Sequence, residues 1–186
     1  MNNQPESCCF TGYRPQKFPF PIDRANAEYL KFENKLTDAV FSVPSRHGVT
    51  FYTGMAMGFD LIAAETVLLY RRAKGENIRL IGVIPFKGQS SSYPSEWRSR
   101  YNSVAAQTDE LIFLEDVYSN GCYQRRNEYM VDRSDMVITW FDGAPGGTLN
   151  TIRYAKRRNK RIVNLYEEMS HEYVNGDLFS VIPPDK

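Results

Sequence analysis

The stretch Thr50–Glu65, TFYTGMAMGFDLIAAE, decides the fold. An apolar run ends at Thr53-Gly54, small residues follow, and Asp60 opens a segment that is apolar on most sides. A short apolar run closed by glycine reads as a strand, and a longer apolar segment after it reads as a helix. Glycine at such a hand-over has two readings: it makes a tight βα turn, and it lets the backbone approach a ligand. Taken alone, the stretch fits both.

The same alternation extends in both directions. Ser7–Gly12, Val49–Thr53, Ile78–Pro85, Glu110–Leu114, Asp135–Phe141 and Arg161–Leu165 read as strands. Asp23–Val43, Asp60–Lys74, Ser95–Gln107, Gly121–Arg133 and Thr148–Asn159 read as helices. In the first helix Tyr29, Phe32, Leu36, Val40 and Val43 share one face, Asp23 suits the N-cap, and Pro44 ends the run. The other inward faces expected are Trp97, Tyr101, Val104 and Ala105; then Tyr123, Asn127, Met130 and Val131; then Leu149, Ile152 and Ala155. Gly75 sits where a helix C-terminal glycine belongs. Strands alternating with helices imply right-handed βαβ units. The expected class is α/β: a single Rossmann-like, doubly wound, mostly parallel sheet with helices on both faces. One domain is expected over 1–186, with its core at about 7–165 and a weakly patterned tail at 166–186 that Pro183-Pro184 closes as an extended end. Phe86–Pro94, FKGQSSSYP, reads as a flexible loop at a strand's C-terminal end.

Composition narrows the function. The 186 residues are 42% hydrophobic and 13% aromatic, enough for a real core, and the net charge of +1 exerts no bulk pull on nucleic acid or membrane. Met1–Glu6 lacks a basic and apolar leader pattern, and no apolar run approaches a membrane span. Cys8, Cys9 and Cys122 form no disulfide framework or zinc spacing; Cys8 and Cys9 belong in the core. His47 and His171 have no ligating partner at useful spacing, so no metal is expected. A soluble cytoplasmic chain is the expectation.

Glycine-rich loops recur at the strand ends: Thr11-Gly12-Tyr13-Arg14-Pro15, Thr53–Asp60, and Asp142–Thr148. Open α/β sheets bind ligands outside these ends. A helix N-terminus behind each loop suits phosphate, and Arg14 adds a bidentate donor that Pro15 holds extended. Asp60 reads as a first-turn acid or as an acceptor for a ribose hydroxyl. Glu65 reads as a solvated or salt-bridged residue. Arg125 and Arg126 diverge by about 100° around their helix, so at most one faces the site. Asn127 needs partners and is either a ligand contact or a structural bridge. The run Arg153–Arg161 reads as a solvated cationic face, with a nucleic-acid patch as the sharper alternative.

Four blocks, CCFTGYRP from Cys8, YTGMAMGFDLIAAE from Tyr52, YQRRNEYMVDRSD from Tyr123 and GAPGGTLNTIRYA from Gly143, resemble the YpsA-like branch of the SLOG superfamily. That superfamily groups the DNA-processing protein DprA/Smf with the LOG, lysine-decarboxylase-like, proteins. The resemblance implies a Rossmann-like fold that binds a nucleotide or nucleotide-derived ligand. Carried over by position, the cradle is Thr11, Gly12 and Arg14, then Gly54, Met55, Gly58 and Asp60, then Arg126 and Asn127, then Gly146, Gly147 and Thr148. LOG enzymes are phosphoribohydrolases, and in them a glutamate is expected where this chain has Thr151. Threonine cannot stabilise an oxocarbenium-like centre or activate water as a carboxylate does. Asp60, Glu65 or Asp142 would have to substitute, and Arg126 and Asp60 are the weak catalytic candidates. The expected function is therefore sensing of a nucleotide-derived small molecule, with LOG-like hydrolysis and DprA-like nucleic-acid binding as alternatives. Catalysis is left open. A homo-oligomer and a downstream protein partner, which the residues do not identify, complete the expectation; nucleic acid and membrane are not expected partners.

Overall fold

The computed structural model describes residues 6–43, 48–75 and 77–170. The helix stop expected at Pro44, both histidines, the N-terminal Met1–Pro5 and the Pro183-Pro184 end lie outside them. Six strands form one parallel sheet: β1 (Ser7–Thr11), β2 (Val49–Thr53), β3 (Ile78–Ile84), β4 (Glu110–Phe113), β5 (Met136–Thr139) and β6 (Arg161–Asn164), in the order β4-β3-β2-β1-β5-β6. The helices are α1 (Ala27–Phe41), α2 (Phe59–Lys74), α3 (Ser95–Ala105), α4 (Cys122–Asp132) and α5 (Gly147–Arg157). This is the Rossmann-like α/β architecture expected from the alternation.

The central strands β1, β3 and β5 are buried on both faces because helices cover both. Side chains alternate across a strand. Cys8 and Phe10 therefore enter the core under α1 and α2, while Cys9 enters the one formed with Val137, Met130, Val131 and Ala155 under α4 and α5. The adjacent cysteines are free and point to opposite faces, and burial pushes the Cys9 thiol up to about 12. The larger core is aromatic: Phe10 stacks on Phe51 at 5.8 Å, and Phe32 meets Trp140 edge-on at 5.0 Å. Each such ring, fully buried, contributes about 1.5–3 kcal/mol. The outer strands β4 and β6 are only partly buried, as edge strands are.

Three local expectations are corrected. Asp23 does not cap α1. Its carboxylate accepts from the Ala25 amide (2.9 Å) in the preceding turn, and Asn26 caps the helix by accepting from Tyr29 N (3.0 Å). Both residues can satisfy local amides, and the turn delays the helix by three residues. Residues 165–170 are helical rather than unpatterned, and Leu165 and Met169 dock into the main core. The loop Phe86–Pro94 is anchored rather than loose. Gln89 is buried in a 3₁₀ turn (Gln89–Ser92) and donates from Nε2 to Gly54 O (3.1 Å) and Tyr93 Oη (2.7 Å).

Candidate ligand-binding site

The sheet grows from β1 through β4 in one direction and returns to place β5 on β1's other side. The loops after β1 and β5 therefore diverge, and a crevice opens outside the strand ends. A cleft of about 360 Å³ lies there. Thr11, Gly12 and Arg14 reach it from β1, Asp60 from α2, Arg126 and Asn127 from α4, and Gly146, Gly147 and Thr148 from α5. Nine of the residues expected from sequence thus line one cleft.

The α5 end of the cleft presents positive potential. Gly146 precedes the helix and no side chain caps it, so its first-turn amides lack helical acceptors and carry partial positive charge. The Thr148 hydroxyl donates to Gly12 O (3.2 Å), which ties α5 to the β1 loop. The 3₁₀ turn Pro15–Lys17 brings Lys17 across the cleft, where its Nζ donates to Pro145 O (3.4 Å) and lies 5.6 Å from the Tyr13 ring. Arg14 is extended before Pro15 as expected, with its guanidinium 5.8 Å from the Tyr123 ring.

The opposite wall holds a buried ion pair. Arg126 donates from Nη1 to Asp60 Oδ2 at 3.2 Å, and both side chains are more than nine-tenths buried. Burial pushes the Asp60 carboxyl above its ordinary value, against the opposing pull of Arg126, the Ala56 amide and Arg14. The Nε of Arg126 is also buried and has no hydrogen-bond partner among the described residues. A buried donor left unmatched is costly.

Gly54, Met55 and Gly58 do not line the cleft; they form the β2–α2 turn that leads to Asp60. A Cβ on Gly54 would lie 1.3 Å from Arg126 Nη1 and 2.6 Å from Asp60 Oδ2, so this glycine makes room for the ion pair. Gly58 has φ +88°, and a Cβ there would meet Tyr13 O at 2.4 Å. That close approach lets Phe59 N donate to Tyr13 O (3.0 Å) and fixes α2 against the β1 loop. Met55 adopts φ +55°, rare for a non-glycine residue. Its amide donates to Thr53 Oγ1 (3.2 Å), its carbonyl accepts from Tyr93 Oη (3.3 Å), and its side chain is fully buried.

Thr151, Asp142 and Glu65 each have partners of their own. Thr151 is buried; its hydroxyl accepts from Asn127 Nδ2 (2.8 Å) and donates to Gly147 O (2.9 Å). Asn127 is thus a bridge between α4 and α5 as well as a cleft residue. The Asp142 carboxylate takes the Tyr13 hydroxyl and the Ala144 amide (2.9 Å). Burial would raise it, but these donors outweigh that and hold it below its ordinary value. Glu65 is held by Arg100 at 2.8 and 2.5 Å, the salt-bridged role expected of it. Because that pair is partly exposed, Glu65→Gln is expected to cost no more than about 1 kcal/mol in urea denaturation. It is also expected to leave ligand affinity unchanged by calorimetry.

Tyr13, Gln16, Lys17, Ala56 and Tyr123, not singled out from the sequence as site residues, also line the cleft. Tyr123 was expected on the inward face of α4. Met130 and Val131 are buried there as expected, but the other buried positions belong to Cys122 and Arg126. On α5, Thr148 and Thr151 are buried where Leu149 was expected. Arg125, as its divergence requires, faces away from Arg126 and binds Glu115 at 2.5 Å. Among the described residues, no group of three or more ligating side chains could hold a metal, and no helix is long and apolar enough to cross a membrane.

These features match a known family. The model of the YspA SLOG family, YpsA, covers residues 8–170. The chain belongs to that family. It is 29% identical over 145 residues to the uncharacterized SPbeta prophage-derived protein YoqJ of Bacillus subtilis (strain 168), covering 71% of this chain and 84% of YoqJ. It is 26% identical over 94 residues to UPF0398 protein SH1465 of Staphylococcus haemolyticus (strain JCSC1435), half of each chain. Among solved structures, the fold is similar to DNA processing protein A from Helicobacter pylori, described for its single-stranded DNA binding mode (TM-score 0.57, 17% identity, 92% of this chain and 74% of that one). It is also similar to DNA processing protein A from Streptococcus pneumoniae (TM-score 0.55, 15% identity, 91% of this chain but 56% of that one). At these identities the likeness is one of fold. The YpsA SLOG match spans all four sequence blocks and every cleft-lining residue.

Proposed function

We propose that this YpsA SLOG protein binds a phosphorylated, nucleotide-derived small molecule in the cleft between the β1 and β5 loops and acts as a sensor rather than a hydrolase. The carrying observation is Arg126, a buried cation lining the cleft with its Nε unmatched. Arg14, Lys17 and the uncapped start of α5 add positive potential at the same place. Among the described lining residues Asp60 is the single carboxylate, it is already paired with Arg126, and no second acid for glycosidic hydrolysis stands beside it. A ligand phosphate takes the α5 amides and Arg14, and Arg126 anchors it from below. Asp60, set off from the phosphate by Arg126, is the acceptor for a sugar hydroxyl.

The basic run Arg153–Arg161 does not enter this reading. Arg158 is tied to Asp132 at 2.7 Å, and Arg157 lies 5.5 Å from the Tyr154 ring, as on a solvated, self-paired face. Isothermal titration with nucleoside mono- and diphosphates and dinucleotides tests the proposal. Saturable binding is expected, reduced at least about tenfold by Arg14→Ala, with no free base appearing by chromatography. Absence of binding by the folded protein, with steeply salt-dependent binding of single-stranded oligonucleotide instead, would favour the DNA-processing reading.

A further inference from the structure

We propose that the rim of the cleft carries a base-stacking subsite, formed by Phe86, Tyr118 and Tyr123, so that the ligand is one that presents a nucleobase to the open ring of Tyr118. The proposal rests on the phosphate-binding reading of the cleft and names the other half of the ligand.

Three separate segments converge here: the loop after β3, the loop after β4, and the first turn of α4. Phe86 meets Tyr118 at 5.5 Å and Tyr123 at 6.0 Å, and Tyr118 meets Tyr123 at 6.4 Å. Tyr123 lines the cleft, so the cluster is continuous with it. Among the described residues two large aromatics are exposed, Phe113 on edge strand β4 (45%) and Tyr118 (62%), and of the two only Tyr118 belongs to this cluster.

That exposure is not the looseness of an unanchored loop. Arg125 donates from Nε (2.9 Å) and Nη2 (2.5 Å) to Glu115 Oε1, and from Nη1 to Asn120 O (2.9 Å), gripping both ends of the segment that carries Tyr118. The Lys87 amide donates to Glu115 O (3.1 Å), and Lys87 Nζ pairs with Asp116 at 2.5 Å. The fold thus holds an aromatic ring in water next to a cationic cleft. Arg14 already lies over Tyr123, which leaves Tyr118 as the open stacking surface and puts a guanidinium between it and the α5 amides. Every nucleobase offers a π-face to such a ring, and no base-edge donors are needed.

The test compares ribose 5-phosphate with adenosine, guanosine, cytidine and uridine 5′-monophosphates by isothermal titration on wild type, Tyr118→Ala and Tyr118→Phe. Wild type is expected to favour at least one nucleotide over ribose 5-phosphate by about fivefold or more. Tyr118→Ala is expected to erase that preference with ribose 5-phosphate affinity unchanged, and Tyr118→Phe to keep it. If ribose 5-phosphate and all four nucleotides bind wild type equally, or Tyr118→Ala weakens every ligand alike or none, the stacking subsite is overturned while phosphate binding stands. If wild type binds none of the five, the phosphate reading fails and the subsite with it.

Discussion

Gly54→Ala is expected to destabilise the protein by about 3 kcal/mol or more and to abolish binding in the cleft. The new methyl group would occupy the position of Arg126 Nη1, 1.3 Å away, with Asp60 Oδ2 2.6 Å off on the other side. Accommodation requires the guanidinium to leave Asp60, and breaking a buried pair leaves an uncompensated charge in a low-dielectric interior. Overpacking adds to that. Gly147→Ala is the matched control, because a Cβ there meets nothing within 4 Å. It is expected to change stability by no more than about 0.5 kcal/mol, while its methyl group narrows the cleft it lines and weakens ligand binding. Urea denaturation and calorimetry on both variants separate the two glycines. Equal, small stability changes would show that Gly54 does not make room for the pair.

Arg126→Met is expected to cost about 3–5 kcal/mol near neutral pH, because the Asp60 carboxylate is then buried alone. The sign of the pH dependence follows from the direction of the Asp60 shift. Its carboxyl is already raised in the fold, so between its unfolded and folded values the folded state holds a proton that the unfolded state has released. Stability contributed by this group is full below the unfolded value and is lost as pH rises through the folded one. Removing Arg126 removes an opposing pull, moves the folded value further up and widens that window. The penalty of Arg126→Met is therefore expected to grow from pH 5 to pH 8, and urea denaturation at both values measures it. A penalty that does not change with pH would mean that Asp60 is not a buried, unpaired acid in the variant.

The same pair shows how far the sequence could be read. Strand bounds are legible to within two residues because buried parallel strands are continuous apolar runs, and Gly12, Gly54 and Pro85 close the first three. Asp60 and Arg126 could be named because one opens a helix after a glycine loop and the other falls in a recognisable block. Their mutual contact could not be read, since sixty-six residues separate them. Gly54 and Gly58 were assigned to the ligand because sequence does not distinguish a glycine that admits a ligand from one that admits the protein's own atoms. Met55 is carried over with them by its position in the same block, and its rare backbone conformation leaves no periodic trace. Lys17 and Gln16 were invisible for a different reason: a 3₁₀ turn folds them back over the cleft, and so short an element has no hydrophobic pattern. Tyr123 fitted the inward face by spacing, but α4 rotates so that the buried Arg126 takes that place and the tyrosine turns to the cleft mouth.

The most direct measurement is a crystal structure of the protein soaked or co-crystallised with a nucleotide that calorimetry shows to bind. A phosphate oxygen is expected within hydrogen-bonding distance of the Gly147 and Thr148 amides, with Arg14 and Arg126 on the same phosphate or its neighbour. A nucleotide bound on another face, with the cleft between the β1 and β5 loops left empty, would contradict the assignment of this cleft as the ligand site.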